Sequence, residues 1–190
     1  MKKVFSILAL LLFSLSFSTG SYSNDQSTDS IHFLIGGGAW GSAISKVLTE
    51  NGHQLSLWCY LDEEAKAVND DSRSLRLEGV VLPKGIEAHT DFASVFKQAP
   101  DWMVIALSSS QLGQLEELAT HYDPKTPVII LTKGFVENQD SLLAVDCITA
   151  ILKPENAVVL SGPNLALEIA KQQYSSTVVA CKDEATAIKA

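Results

Sequence analysis

The chain has 190 residues, 46% of them hydrophobic and 19% charged, which suits one packed domain and excludes a disordered one. With 14 basic against 22 acidic side chains the formal charge is −8, and a surface that acidic repels nucleic-acid phosphates, so no nucleic-acid partner is expected. Cys59, Cys147 and Cys181 form no CxxC pair, and His32, His53, His89 and His121 are equally scattered, so neither a disulfide framework nor a metal site is expected.

The N-terminal stretch stands apart. Lys2-Lys3 precede a 14-residue apolar run, Val4 to Phe17, and small polar residues follow to Ser23. That order is the order of an export signal. The run is short of the roughly 20 residues that span a bilayer. Residues 1–23 are therefore expected to act as a signal-peptide-like segment cut near Ser21-Tyr22-Ser23, with 24–30 as a solvated linker and a periplasmic or secreted destination. Loss of 1–23 removes Lys2 and Lys3 and no acid, which takes the charge to −10.

From Ile31 onward, strands alternate with helices. Ile31–Ile35 is a short apolar run that stops at glycines and predicts a buried strand. Ala39 to Asn51 follows at helical spacing, with Gly52 as its stop. Gln54 to Tyr60 predicts a second strand. Asp62-Glu63-Glu64 open a short helix at its acid-favouring end. Asn69 to Lys84 reads as irregular. Trp102–Leu107 and Val128–Leu131 predict strands, with Gln111–Thr120 helical between them. A helix from about Asp140 to Leu152, a strand Ala157–Leu160, a helix Asn164–Gln172 and a strand Ser176–Ala180 complete the pattern. Asp183 to Ala190 looks like the first turns of another helix.

Strands apolar on both faces belong to a mainly parallel sheet covered by helices on both sides. The expected fold is therefore α/β, doubly wound and Rossmann-like, over residues 31–190, and is expected to be incomplete at its C-terminal end. Its ligand should lie at the carboxyl ends of the strands, where strand order reverses.

Gly36, Gly38 and Gly41 have the G-x-G-x-x-G spacing between a strand and a helix. The first glycine permits the turn, the second lets a pyrophosphate approach the backbone, and the third lets helix and strand pack closely. The helix N-terminus offers free N–H groups to the phosphates. This is how an acidic chain can hold an anionic dinucleotide. Trp40, taken alone, reads as a packing residue. An acid is expected about 20 residues on to hold the adenosine ribose. Trp58-Cys59-Tyr60 occupy that place, Asp62 comes two residues late, and no arginine stands there, so NAD and NADP both stay open.

Two later segments end strands on the same edge. Thr132-Lys133-Gly134 brings a cation. Ser161-Gly162-Pro163-Asn164-Leu165-Ala166 brings a turn at a helix start, with Asn164 readable as an ordinary N-cap.

Taken together, GGGAWGSAIS, NGHQLSLW, TKG and LSGPNLALEIA resemble the N-terminal domain of the NAD(P)-dependent glycerol-3-phosphate dehydrogenases. The resemblance runs from Ile31 to the chain end. It implies that Gly36, Gly38, Ala39, Trp40, Gly41, Tyr60, Lys133 and Ala166 meet the nicotinamide dinucleotide. It also implies that Lys133, Gly162 and Asn164 meet glycerol 3-phosphate or dihydroxyacetone phosphate. The family's catalytic lysine and phosphate-binding arginine belong to a helical C-terminal domain, so no catalytic residue and no such domain are expected in this chain. Three positions depart from the pattern. Tyr60 stands where the family often has a basic residue, Ser108 where it has proline, and Glu78 where a Leu-Pro-Gly turn carries proline. The family works in the cytoplasm, whereas the N-terminus here resembles an export signal.

Three functions compete on this reading. One is a glycerol-3-phosphate oxidoreductase completed by a separate C-terminal-domain chain or a longer product. The second is a non-catalytic nucleotide-binding module, retained or decaying after truncation; the isolated chain is expected to self-associate through exposed apolar surface or to be marginally stable. The third is an exported protein reusing the fold without NAD.

Overall fold

The computed structural model of the protein describes residues 5–9, 30–136 and 143–190. Apart from Phe5–Ala9 and Ser30, the signal-like segment and the linker lie outside them, as does the expected helix start at Asp140.

Among the described residues, one sheet holds eight strands: β1 (Phe5–Ala9), β2 (Ile31–Ile35), β3 (Gln54–Trp58), β4 (Ile86–His89), β5 (Trp102–Ile105), β6 (Val128–Ile130), β7 (Ala157–Ser161) and β8 (Thr177–Cys181). Their order across the sheet is β1-β8-β7-β6-β5-β2-β3-β4. Strands β2 to β7 pair in parallel, while β8 runs antiparallel to both β7 and β1. The chain builds outward from β2 to β4, then returns to build β5 to β7 on the other side. Strand order reverses between β2 and β5, which opens a crevice at their carboxyl ends.

Alternation within the strands explains why helices cover both faces. Phe33 and Ile35 pack with Met103, Ile105, Val128 and Ile130 on one face, against Leu115, Leu118 and Ile148. Leu34 points the other way, into a cluster with Leu57, Val104 and Leu131 that is covered by Ile44, Leu48 and Val68. Phe33, Leu34 and Ile35 are all fully buried. Each such side chain contributes about 1.5–3 kcal/mol of transfer free energy, so this five-residue strand anchors both layers.

The helices are α1 (Ala39–Glu50), α2 (Asp62–Asp71), α3 (Phe92–Val95), α4 (Leu115–Leu118), α5 (Ala144–Leu152), α6 (Ala166–Ala170) and α7 (Glu184–Lys189). Several differ from the sequence expectation. Helix α2 runs through Asp71, into the stretch expected to be irregular, and that stretch is followed by an unexpected strand, β4, whose buried Ile86 and Ala88 alternate with exposed Glu87. Helix α3 follows because Asp91 caps it, accepting from the Ser94 N–H at 2.7 Å. The helix expected over Gln111–Thr120 is a 3-10 segment, Ser109–Gln114, that becomes α-helical only at Leu115. Gly113 within it weakens the α-helix there. Helix α6 is shorter than expected and begins at Ala166, with Leu165 and not Asn164 at its N-cap.

Candidate functional site

Five strand ends converge on a cavity of about 590 Å³. Gly36 to Trp40 enter it after β2, Trp58 at the end of β3 and Tyr60 after it, Ala106 to Ser109 after β5, Leu131 to Lys133 after β6, and Asn164 and Ala166 after β7.

The glycine turn forms its floor. Gly36 has φ +124°, a conformation L side chains rarely adopt, and a Cβ there would lie 2.8 Å from the Ala106 carbonyl oxygen. A Cβ on Gly41 would overlap the Gly36 carbonyl oxygen, so α1 rests directly on the turn. Gly38 differs from both. It is the N-cap of α1, and no atom lies within 4 Å of where its Cβ would be. Among the described residues no side chain caps this helix, which leaves its first N–H groups to a ligand. An open glycine, uncapped N–H groups and a positive helix end are the chemistry that a pyrophosphate requires.

Across the crevice, the Thr132 hydroxyl donates to the Leu107 carbonyl at 2.9 Å and fixes the exit of β6. Lys133 is exposed; its Nζ donates to the Gly162 carbonyl at 3.0 Å and lies 5.9 Å from the centre of the Trp40 ring. Gly162 itself does not line the cavity. A Cβ on it would lie 2.6 Å from the Ser176 carbonyl oxygen, so the glycine lets β7 and the approach to β8 meet. Asn164 lines the cavity but spends its amide on structure. Its Nδ2 donates to Ser175 Oγ at 2.8 Å and to the Ser176 carbonyl at 2.9 Å, and its Oδ1 accepts from Thr177 Oγ1 at 3.3 Å.

Of the residues singled out in the sequence, Gly36, Gly38, Ala39, Trp40, Tyr60, Lys133, Asn164 and Ala166 meet in this cavity, while Gly41 and Gly162 support it from behind. Ser108 lines the cavity and Glu78 does not. Glu64 and Arg76 also face it, and sequence reading passed over both. Glu64 showed only as an acid in a first helical turn, and Arg76 lay in a stretch without periodicity.

Beside the glycine turn, Cys59 is buried, and that burial, with Glu64 nearby, pushes its thiol up to about 12. It is a packing group and not a nucleophile at neutral pH.

A family model described as the NAD-dependent glycerol-3-phosphate dehydrogenase N-terminus matches residues 33–187. A glycerol-3-phosphate dehydrogenase [NAD(P)+] of Corynebacterium urealyticum is 34% identical over 155 residues, 80% of this chain and 46% of that protein. A glycerol-3-phosphate dehydrogenase structure from Plasmodium falciparum superposes with a TM-score of 0.67 at 28% identity, covering 77% of this chain and 44% of that one. One from Coxiella burnetii gives 0.68 at 23% identity over 76% and 44%, a likeness of fold. The chain thus spans about half the length of the relatives it matches.

Proposed function

The chain belongs to the N-terminal family of the NAD-dependent glycerol-3-phosphate dehydrogenases, and we propose that its cleft binds a nicotinamide dinucleotide beside glycerol 3-phosphate or dihydroxyacetone phosphate. The observation that carries this reading is the open Gly38 at the uncapped start of α1, facing a cavity on which five strand ends converge.

In this reading the pyrophosphate lies over Gly38 and the first N–H groups of α1. Ala39, Trp40 and Ala166 bound it, and Tyr60 lies towards the adenosine end. The bound dinucleotide supplies a hydride donor or acceptor. Lys133 holds its ammonium at the mouth of the crevice, where it donates to an oxygen of the cofactor or substrate once Gly162 releases it. Gly162 acts from behind, and Asn164 from the cavity wall. The first sets the resting position of Lys133, and the second fixes the turn that carries Ala166.

Trp40 and Trp58 both line the cavity, so titration with NADH should quench tryptophan fluorescence saturably. Absence of saturable binding by a folded chain would overturn the dinucleotide reading. A second assay supplies dihydroxyacetone phosphate and NADH. A positioned proton carrier contributes about 10²–10⁴-fold to such a reaction. Lys133 is the one lysine among the described residues lining the cleft, and it serves here as a ligand. Turnover by the 190-residue chain is therefore expected to lie at least about 10²-fold below an ordinary enzyme's ~10 s⁻¹. A rate near 10 s⁻¹ would make Lys133 the proton carrier.

A further inference from the structure

The β3 end of the cleft carries an ion pair that neither the glycine turn nor Lys133 uses. Glu64, in the first turn of α2, is only 7% exposed, and its Oε1 accepts from Arg76 Nε at 2.8 Å. Both side chains line the cavity, as do Trp58 and Tyr60. The loop that bears Arg76 is fastened to the glycine turn. The Ser42 hydroxyl donates to Ser74 Oγ at 2.7 Å and lies 3.2 Å from the Gly37 carbonyl. Ser74 Oγ in turn accepts the Arg76 N–H at 3.2 Å. Helix α2, the Arg76 loop and the glycine turn therefore meet at one end of the crevice.

In a doubly wound dinucleotide fold, the adenosine ribose reaches the end of the second strand, where an acid accepts its hydroxyl. No acid stands at Trp58-Cys59-Tyr60, and Cys59 is buried. Glu64 brings a carboxylate to that end from the following helix instead. We propose that Glu64, held in place by Arg76, accepts the adenosine 2′-hydroxyl and makes the cleft selective for NAD over NADP. This rests on the dinucleotide reading above.

The selection is electrostatic. A carboxylate accepts from a ribose hydroxyl. Against a 2′-phosphate, it meets a like charge and receives no proton in return. Arg76, half exposed, has its Nε committed to Glu64, so the pair offers a 2′-phosphate no net positive charge. The other cation among the described lining residues, Lys133, follows β6 on the far side of the crevice. Arg76 is thus a positioning residue here. It holds a nearly buried carboxylate in place at this end of the crevice.

The test titrates the 190-residue chain with NADH and with NADPH, followed by tryptophan quenching and by calorimetry. NADH is expected to bind at least roughly tenfold tighter, a difference of about 1.4 kcal/mol. Glu64→Gln keeps the side-chain shape, removes the negative charge and frees Arg76, so NADPH should gain and the ratio should narrow or invert. Arg76→Met leaves the carboxylate unpaired and should weaken NADPH more than NADH. Equal affinities in the unaltered chain, tighter NADPH, or a ratio unmoved by Glu64→Gln would each overturn this inference while leaving the dinucleotide site standing. Binding of neither dinucleotide would overturn the dinucleotide reading itself, and this inference with it.

Discussion

Lys133 donates its ammonium to the carbonyl oxygen of Gly162 at 3.0 Å, so the lysine that follows β6 is parked on the turn that follows β7. The two residues are 29 apart in sequence. Parallel pairing of β6 with β7 brings their ends together, and the turn presents a carbonyl where a ligand oxygen could replace it. Lys133→Met keeps the aliphatic stem and removes the charge. Stability should change by less than about 0.5 kcal/mol because the side chain is exposed. A charge-assisted hydrogen bond is worth roughly 1.5–3 kcal/mol, so NADH or glycerol 3-phosphate should bind at least about tenfold more weakly by calorimetry. Unchanged affinity for both would remove Lys133 from the site.

The glycines of the turn should separate in behaviour. Gly38→Val places a side chain in open space on extended backbone, φ −66° and ψ −178°, which any residue adopts. Its circular dichroism and melting should stay near those of the unaltered chain while NADH titration fails. Gly41→Ala drives a methyl into the Gly36 carbonyl, and overpacking of this kind costs about 1–3 kcal/mol. Its urea midpoint should fall. If Gly38→Val melts earlier than Gly41→Ala, the division of labour argued here is wrong.

Asn164 tests the supporting role of the second turn. Asn164→Ala removes the donors to Ser175 and Ser176 and the acceptor for Thr177. Each such bond contributes about 0.5–1.5 kcal/mol net, and each kcal/mol lowers the melting temperature of a domain of this size by roughly 2–4 °C. A fall in that range is expected, with NADH affinity reduced less than in Lys133→Met. A melting curve that does not move would make Asn164 a direct ligand and not a brace.

These residues differ in how legible they were. The glycine turn and the strands β2, β5 and β6 announce themselves, because a fully buried strand needs an unbroken apolar run and a tight turn needs glycine. Strand β4 was hidden. Four residues with only Ile86 and Ala88 inward leave too short a pattern to separate from the loop around them. Asn164 reads as an N-cap by residue type, yet its amide is drawn across to Ser175 and Ser176, a contact that depends on β7 lying antiparallel to β8. Glu64 and Arg76 meet only because the loop after α2 folds back through Ser74 to Ser42. No local rule encodes a contact closed by tertiary structure.

The N-terminus offers two exclusive uses of the same residues. Phe5–Ala9 pairs antiparallel with β8, from Phe5 opposite Cys181 to Ala9 opposite Thr177. An export signal that is removed would leave β8 as the edge of the sheet. We propose export, on the Lys2-Lys3 and Val4–Phe17 pattern. Residues 1–30 fused to a reporter active only outside the cytoplasm should give signal, and the mature chain should begin near Asn24. A cytoplasmic product that keeps Met1 would favour the strand over the signal.

His32 makes stability depend on pH at the end of the sheet away from the cleft. Its ring is 6% exposed. Its Nε2 lies 2.9 Å from Ser30 Oγ, which also lies 2.7 Å from His53 Nδ1, and its own Nδ1 is buried without a partner among the described residues. Burial first, then the nearby His53, lower its pKa from 6.5 to about 4, against a smaller opposing pull from Asp101. Above pH 6.5 the ring is neutral folded or unfolded, so it costs nothing. Between pH 6.5 and 4 the unfolded chain takes up a proton that the folded chain refuses, and stability falls as pH falls. With those values the loss between pH 7.5 and pH 5.5 is about 1.4 kcal/mol. His32→Gln keeps a polar amide near Ser30 and cannot titrate. Urea midpoints measured at both pH values should drop less in this variant by about that amount, with His53 and the carboxylates common to both chains. Parallel pH curves for the two proteins would show that His32 is protonated in the fold as readily as outside it, and that the Ser30–His53 contact tolerates the charge.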